Sequence, residues 1–241
     1  FVAAFYIFQS SNNTLRTDVF GQTGDYPYVT ADYTGDGKDD PAVYRAGAAP
    51  NGQSFWFYRA SSGPLNGQIV YTQFGQAGDT PAPGDYNGDG RWDFSVRRNN
   101  GGGSGVFLRR NGTGGGDPGG PATAVTVFGS PTDYIVPGDY DGDRMTDIAT
   151  TRPVGTQLLW SIRLSSTGST FTQFWGLATD RETPGDYNGD GRSDLAVWRP
   201  SSDPTMNFFF PFSIPGGKLA PIEWGQSGDY PVAFSYVHFL P

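Results

Sequence analysis

The chain has 241 residues, 36% of them hydrophobic and 15% aromatic, with a formal net charge of −8. The length allows one large all-β domain or two small ones, and the acidity argues against nucleic acid as a partner, because neutralising phosphates takes clustered Lys and Arg. The absence of Cys excludes a disulfide scaffold, thiol catalysis and Cys-ligated zinc, and no apolar run is long enough to insert into a membrane. The 36 Gly and 19 Pro predict many turns and few helices. The chain opens at Phe1 rather than Met, which reads as a processed or trimmed start.

In chain order, one unit recurs. A Phe/Trp-Gly marker stands at Phe20-Gly21, Phe74-Gly75, Phe128-Gly129, Trp175-Gly176 and Trp224-Gly225, with successive spacings of 54, 54, 47 and 49 residues. Four residues after each marker Gly comes an Asp: Asp25, Asp79, Asp133, Asp180 and Asp229. A short Pro-containing strand A follows, then an Asp-rich loop, then strand B (41–45, 94–97, 148–152 and 195–199). Strand C carries apolar residues at period two: Phe5/Ile7, Trp56/Tyr58, Val106/Leu108, Trp160/Ile162 and Phe208/Phe210. Such alternation marks a half-buried strand. After a polar turn, strand D leads to the next marker. Two insertions depart from the unit, at 46–53 and 112–120, and two sequons begin at Asn12 and Asn111.

Four-stranded units of about 50 residues predict β-propeller blades. The expected fold is all-β, a single five-bladed β-propeller over 1–241, with blades near 22–75, 76–129, 130–176 and 177–225. The fifth combines 1–21 with 226–241, so that N- and C-terminal strands close the ring and leave no exposed edge. Its strand A is expected at 231–236, where Ser235 stands in place of the first loop Asp. Its strand B has three placements: 237–240, 1–4, or none. An open row of sandwiches is the alternative architecture.

The Asp-rich loops carry the chemistry. Counting from the first Asp, side-chain oxygens fall at positions 1, 3, 5 and 9: Asp32, Thr34, Asp36 and Asp40; Asp85, Asn87, Asp89 and Asp93; Asp139, Asp141, Asp143 and Asp147; Asp186, Asn188, Asp190 and Asp194. Position 6 is Gly except at Arg144, which predicts strain in the third loop. The residues at position 7, Lys38, Arg91, Met145 and Arg192, are expected to add a backbone carbonyl. Position 12 is Val or Thr inside a predicted strand, so the loops are not EF-hands, which need Glu there. All-oxygen ligation on flexible carboxylate loops favours calcium, up to four ions, over magnesium, zinc or copper. The ligand positions of these loops hold 13 of the 24 acidic residues, and four divalent cations would cancel the net charge of −8. The alternative is that the same residues make only Asx-turns. Arg45, Arg97, Arg152 and Arg199 end the B strands and are expected to pair with turn Asp residues of an adjacent blade.

The stretches 20–27 and 74–81 (Phe-Gly-Gln-x-Gly-Asp-x-Pro), 84–90 and 185–191 (Gly-Asp-Tyr-Asn-Gly-Asp-Gly) and 196–200 (Ala-Val-Trp-Arg-Pro) resemble the FG-GAP/VCBS repeat family, related to the integrin α-subunit propeller. The resemblance covers essentially the whole chain. It implies calcium in the A–B loops and a secreted or cell-surface location, as a monomer or as a module of a larger protein. Integrin-type propellers usually have seven blades against five here. A fungal lectin with related repeats binds sugars between blades.

Catalysis is not expected. His238 is the only His, Glu182 and Glu223 the only Glu, and the carboxylates sit in repeated loops with no off-repeat acid pair. Trp92, at loop position 8, is the off-pattern residue: a stacking platform for a sugar or protein ligand, or a lid on its own blade. The remaining Trp residues (56, 160, 175, 198 and 224) read as core. The expected function is a non-catalytic, calcium-binding extracellular module for adhesion or binding of a protein or glycan. A lectin, or a structural spacer in a larger surface protein, are the alternatives.

Overall fold

Short alternating segments punctuated by Gly and Asp give eighteen strands and one single-turn 3-10 helix among the described residues of this computed structural model. The structure describes residues 2–9, 12–48, 50–111, 122–203, 205–229 and 231. The expected fifth-blade strand at 231–236 beyond Pro231, its B strand at 237–240, Ser235, His238 and the insertion at 112–120 lie outside them.

The fold is all-β, built of small antiparallel sheets of the β-propeller blade kind. β1 (Val2–Gln9) and β2 (Thr14–Gln22) form a two-stranded ribbon. The first full repeat holds β3 (Ala42–Arg45), β4 (Gln53–Arg59) and β5 (Ile69–Gln76). The second holds β6 (Thr80–Pro81), β7 (Phe94–Asn99), β8 (Gly105–Arg110) and β9 (Ala124–Val127). The third holds β10 (Tyr134–Ile135), β11 (Ile148–Val154), β12 (Gln157–Arg163) and β13 (Thr170–Leu177). The fourth holds β14 (Arg181–Glu182), β15 (Leu195–Pro200), β16 (Asn207–Ser213), β17 (Gly217–Lys218) and β18 (Ile222–Glu223). Within each repeat the strands are ordered A to D by sequence, except that β17 and β18 both pair with β16. Strand A is two residues long, and in the first repeat it shrinks to one bridge, Tyr26 to Tyr44. Proline explains this: Pro27, Pro81, Pro137 and Pro184 occupy or flank these segments, and Pro donates no ladder hydrogen bond.

The chain divides into two compact units, 1–83 with 89–98 and 107–125, and 84–88 with 99–106 and 126–241. The core of the first gathers Tyr33, Tyr44, Trp56, Tyr58 and Phe94. Tyr33 stacks on Phe94 at 5.3 Å between ring centres, and Tyr44 meets Trp56 edge-on at 5.1 Å. The core of the second gathers Tyr140, Leu158, Trp160, Ile162, Leu195 and Val197. The two central tryptophans are held alike. Trp56 Nε1 donates to the Phe74 carbonyl (3.1 Å) and Trp160 Nε1 to the Trp175 carbonyl (2.9 Å), so the ring of each C strand is fixed to the marker of its own D strand. A buried indole usually finds such an acceptor.

Three expectations about strand faces need correction. In β8 the buried residue is Phe107, with Val106 and Leu108 half-buried. In β16, Phe208, Phe209 and Phe210 are all half-buried, and Phe209, opposite Trp198, holds the register that Trp160 holds opposite Thr151. Trp224 is 75% exposed rather than core.

The recurring Arg and Asp form a clamp, and it lies within one repeat, not between neighbours. Arg45 meets Asp25 with Nε and Nη2 (2.7 and 2.9 Å), and Arg199 meets Asp180 the same way (2.7 and 2.6 Å). In the second repeat the partner of Asp79 is Arg98 (2.8 Å for both bonds), not Arg97. Arg152 reaches Asp133 through Nη2 alone, at 2.9 Å. Each Asp also accepts the backbone N–H three residues earlier, as from Gln76 to Asp79 (2.8 Å). Arg45 and Arg199 lie over Phe57 and Phe210, 4.6 and 4.5 Å from the ring centres, adding a cation–π contact.

Candidate metal centre

The loops are built from the first Asp outward. Asp139 accepts the backbone N–H of Gly142 (2.6 Å), Asp143 (3.2 Å) and Arg144 (2.8 Å). Asp186 accepts those of Gly189 (2.6 Å), Asp190 (3.1 Å) and Gly191 (2.9 Å). Asp32 does the same with Gly35, Asp36 and Gly37 (2.6, 3.1 and 2.7 Å). Asp85 accepts from Gly88 at 2.7 Å. Turning three successive N–H groups toward one carboxylate requires left-handed backbone at positions 4 and 6. Position 6 has φ of +79, +80, +69 and +82° at Gly37, Gly90, Arg144 and Gly191. Arg144 thus holds a conformation that costs an L-residue roughly 1–2 kcal/mol, as expected. Position 4, Gly in every loop, has φ between +73 and +78°, a requirement that the sequence reading passed over.

The loop is pinned to the core by the Tyr at position 2. Tyr33, Tyr140 and Tyr187 donate their hydroxyls to the carbonyls of Val29, Val136 and Thr183 (2.6, 2.7 and 2.9 Å). Burial raises the Tyr33 and Tyr140 hydroxyls well above their ordinary pKa, so they stay neutral donors. The backbone N–H of each of these Tyr residues donates to the carboxylate at position 9: Asp40 (2.9 Å), Asp147 (2.8 Å) and Asp194 (2.9 Å). The N–H at position 7 donates to the carboxylate at position 5, from Lys38, Arg91, Met145 and Arg192 to Asp36, Asp89, Asp143 and Asp190 (3.0, 2.9, 2.8 and 2.9 Å). At position 3, Thr34 Oγ1 lies 3.5 Å from Asp32 Oδ1, and Asn188 Oδ1 accepts the Asp190 N–H at 2.9 Å.

Successive loops also touch. The N–H at position 8 donates to the carbonyl at position 1 of the preceding loop: Trp92 to Asp32 (2.9 Å), Thr146 to Asp85 (2.6 Å) and Ser193 to Asp139 (2.6 Å). A methyl group on Gly142 would come within 2.9 Å of Arg192 Nε, and one on Gly35 within 2.8 Å of Arg91 Cγ. The position 7 side chains therefore lie over the preceding loop. Trp92 is half-buried against the first core, which is drawn mostly from the preceding repeat rather than from its own.

One group of three carboxylates converges among the described residues. Asp139, Asp141 and Asp147, at positions 1, 3 and 9, each offer an oxygen within 4.8 Å of the others. Asp143 lies outside this group, held by Met145 and by Ser165 Oγ (2.8 Å). Carboxylate oxygens at such spacing suit a hard divalent cation. The position 9 carboxylates are wholly buried at Asp40, Asp147 and Asp194. Burial raises all three pKa values, Asp147 to about 6, with its N–H and Ser donors opposing the shift. Asp194 Oδ1 is buried without a hydrogen bond of normal geometry. Buried carboxylates of this kind call for a compensating positive charge. At the other end of the fourth loop, the Gly191 N–H above all, with those of Gly189, Asp190 and Asn188, holds the Asp186 carboxyl below its usual value.

The sequence reading missed the serines above these loops. Ser61, Ser165 and Ser213 follow position 9 by 21, 18 and 19 residues, a variable distance that hides them from any fixed-period search. No helix among the described residues is long and apolar enough to cross a membrane. Comparison with protein-family models, with curated proteins and with solved structures gives no match.

Proposed function

We propose that this chain is a calcium-stabilised five-bladed β-propeller of the FG-GAP/VCBS kind, acting outside the cell as a non-catalytic module that binds a protein or glycan partner. The observation that carries the reading is the convergence of Asp139, Asp141 and Asp147 in one of four loops built on the same hydrogen-bond plan. A cation there would be held by these three carboxylates, and its charge would offset the burial of position 9. The first, second and fourth loops offer Thr or Asn at position 3 and would supply fewer charges. The fifth blade is proposed from the β1–β2 ribbon, read as its C and D strands.

The structural role follows from chain connectivity. Each loop joins strand A to strand B, so a cation in it ties the shortest strand of a repeat to its most buried one. Binding to the folded state alone stabilises that state by mass action. Recognition would fall to the rest of the surface, where the half-buried Trp92 is the local aromatic candidate.

The test is a calorimetric titration of the chelator-treated chain with calcium, followed by a glycan screen in calcium. Saturation at up to four ions, with one site lost in Asp147→Ala, supports the reading. No calcium heat, with no loss of structure on chelation, overturns it.

A further inference from the structure

We infer that Ser61 and the pair Ser165–Ser166 are positioning residues for the cation sites, holding the ligand carboxylates from outside the loop. The inference rests on the calcium reading of the loops and extends it to residues outside the Asp motif.

Ser165 and Ser166 lie in the turn between β12 and β13, 18 and 19 residues beyond Asp147. The Ser165 N–H donates to Asp147 Oδ1 at 2.7 Å, and its hydroxyl donates to Asp143 Oδ2 at 2.8 Å. The Ser166 hydroxyl donates to Asp141 Oδ2 at 2.5 Å, and its N–H points to the same oxygen at 3.4 Å. One dipeptide thus contacts positions 3, 5 and 9, while position 1 is held by the loop's own N–H groups. In the first repeat a single serine, in the turn between β4 and β5, reaches the same three positions. The Ser61 N–H donates to Asp40 Oδ1 (2.8 Å), its hydroxyl donates to Asp36 Oδ1 (3.1 Å), and the same hydroxyl lies 3.1 Å from Thr34 Oγ1. In the fourth repeat Ser213 Oγ accepts from Asn188 Nδ2 at position 3 (2.9 Å). A serine thus meets position 3 in three repeats, and positions 5 and 9 as well in the first and third.

The physical role follows from charge. Carboxylates facing one point repel one another and splay when no cation sits among them. A donor on one lone pair of a carboxylate oxygen leaves further lone pairs for a cation. It also fixes the direction in which the carboxylate points. Partners of this kind behind metal ligands are commonly worth about 10–100-fold in affinity.

The experiment is calcium titration by calorimetry, with thermal unfolding in calcium and in chelator, on the full chain and on Ser166→Ala, whose hydroxyl meets Asp141, Ser61→Ala and Ser166→Thr. Each Ala variant removes a hydroxyl and keeps the N–H. Asp147→Ala marks which heat belongs to the third loop. The expected result is that Ser166→Ala weakens calcium about tenfold at that loop alone, that Ser61→Ala does so at the first loop, and that Ser166→Thr restores the affinity. A purely structural serine would lower the melting temperature equally with and without calcium and leave the affinities unchanged, which overturns the inference while the calcium reading survives. A wild-type chain that takes up no calcium overturns both.

Discussion

The third and fourth loops reach one backbone by different routes. Loop 139–147 has four carboxylates and Arg144 in a left-handed turn; loop 186–194 has Asn188 in place of one carboxylate and Gly191 at the turn. The first is rich in charge and strained; the second is relaxed and one charge poorer. The carboxylate cage at position 1 is nearly the same in both, with N–H distances within about 0.1 Å of each other. Loop shape is therefore set by the N–H cage and the Tyr at position 2, whereas charge supply varies freely. A loop that accepts strain and four acids depends most on whatever neutralises them.

The clamps beneath these loops differ as well, and there the largest effect is expected. Arg199 grips the buried Asp180 with two nitrogens and covers Phe210, whereas Arg152 reaches Asp133 with one. Both variants strand a buried carboxylate, but Arg199→Ala also loses a second bond and the Phe210 contact, so it is expected to cost about 2–3 kcal/mol in urea unfolding and Arg152→Ala about 1 kcal/mol less. Equal losses would show that the second nitrogen and the ring contact contribute nothing.

Exchanging the turn residues addresses the strain directly. Arg144→Gly is expected to stabilise the metal-free chain by about 1 kcal/mol, and Gly191→Arg to destabilise it by about the same. If Arg144→Gly leaves the urea midpoint unchanged, the third loop is not strained.

A smaller effect separates the loops by pH. Burial raises Asp147 to about 6, so between the ordinary carboxylate range, roughly 4, and about 6 the folded state binds the extra proton. The contribution of Asp147 to metal-free stability therefore falls as pH rises through that window. Asp186, lowered chiefly by the Gly191 N–H, has the opposite sign: its contribution is present above the ordinary value and lost as pH falls through its depressed one. In chelator, Asp147→Asn should flatten the fall in urea midpoint on going from about pH 4 to 6. A slope equal to that of the wild type would contradict the assignment to Asp147.

Much of the repeat was legible in the sequence because Gly, Asp and Pro impose backbone geometry wherever they stand. The markers, the loops, the B strands and the two-residue A strands follow from them. What was not legible depends on parity or on distance. Val106-Phe107-Leu108 and Phe208-Phe209-Phe210 are unbroken apolar runs, in which alternation cannot choose a face, and a one-residue slip turns every side chain over. Arg97 and Arg98 are adjacent for the same reason, and only the strand register selects Arg98 for Asp79. Trp224 carries the marker pattern yet is exposed, since the pattern fixes a turn and not the surface that would cover its ring. The serines escaped because hairpin length varies, so no fixed spacing from the Asp loops finds them.

The most direct test of the account is the melting temperature of the chain in calcium, in magnesium and in excess chelator. The account predicts a rise of several degrees or more that is specific to calcium and is reduced in Asp147→Ala, in keeping with linkage of binding to folding. The same melting temperature in all three solutions would contradict it: the Asp loops would then be turns closed by their own N–H groups, with no cation in them.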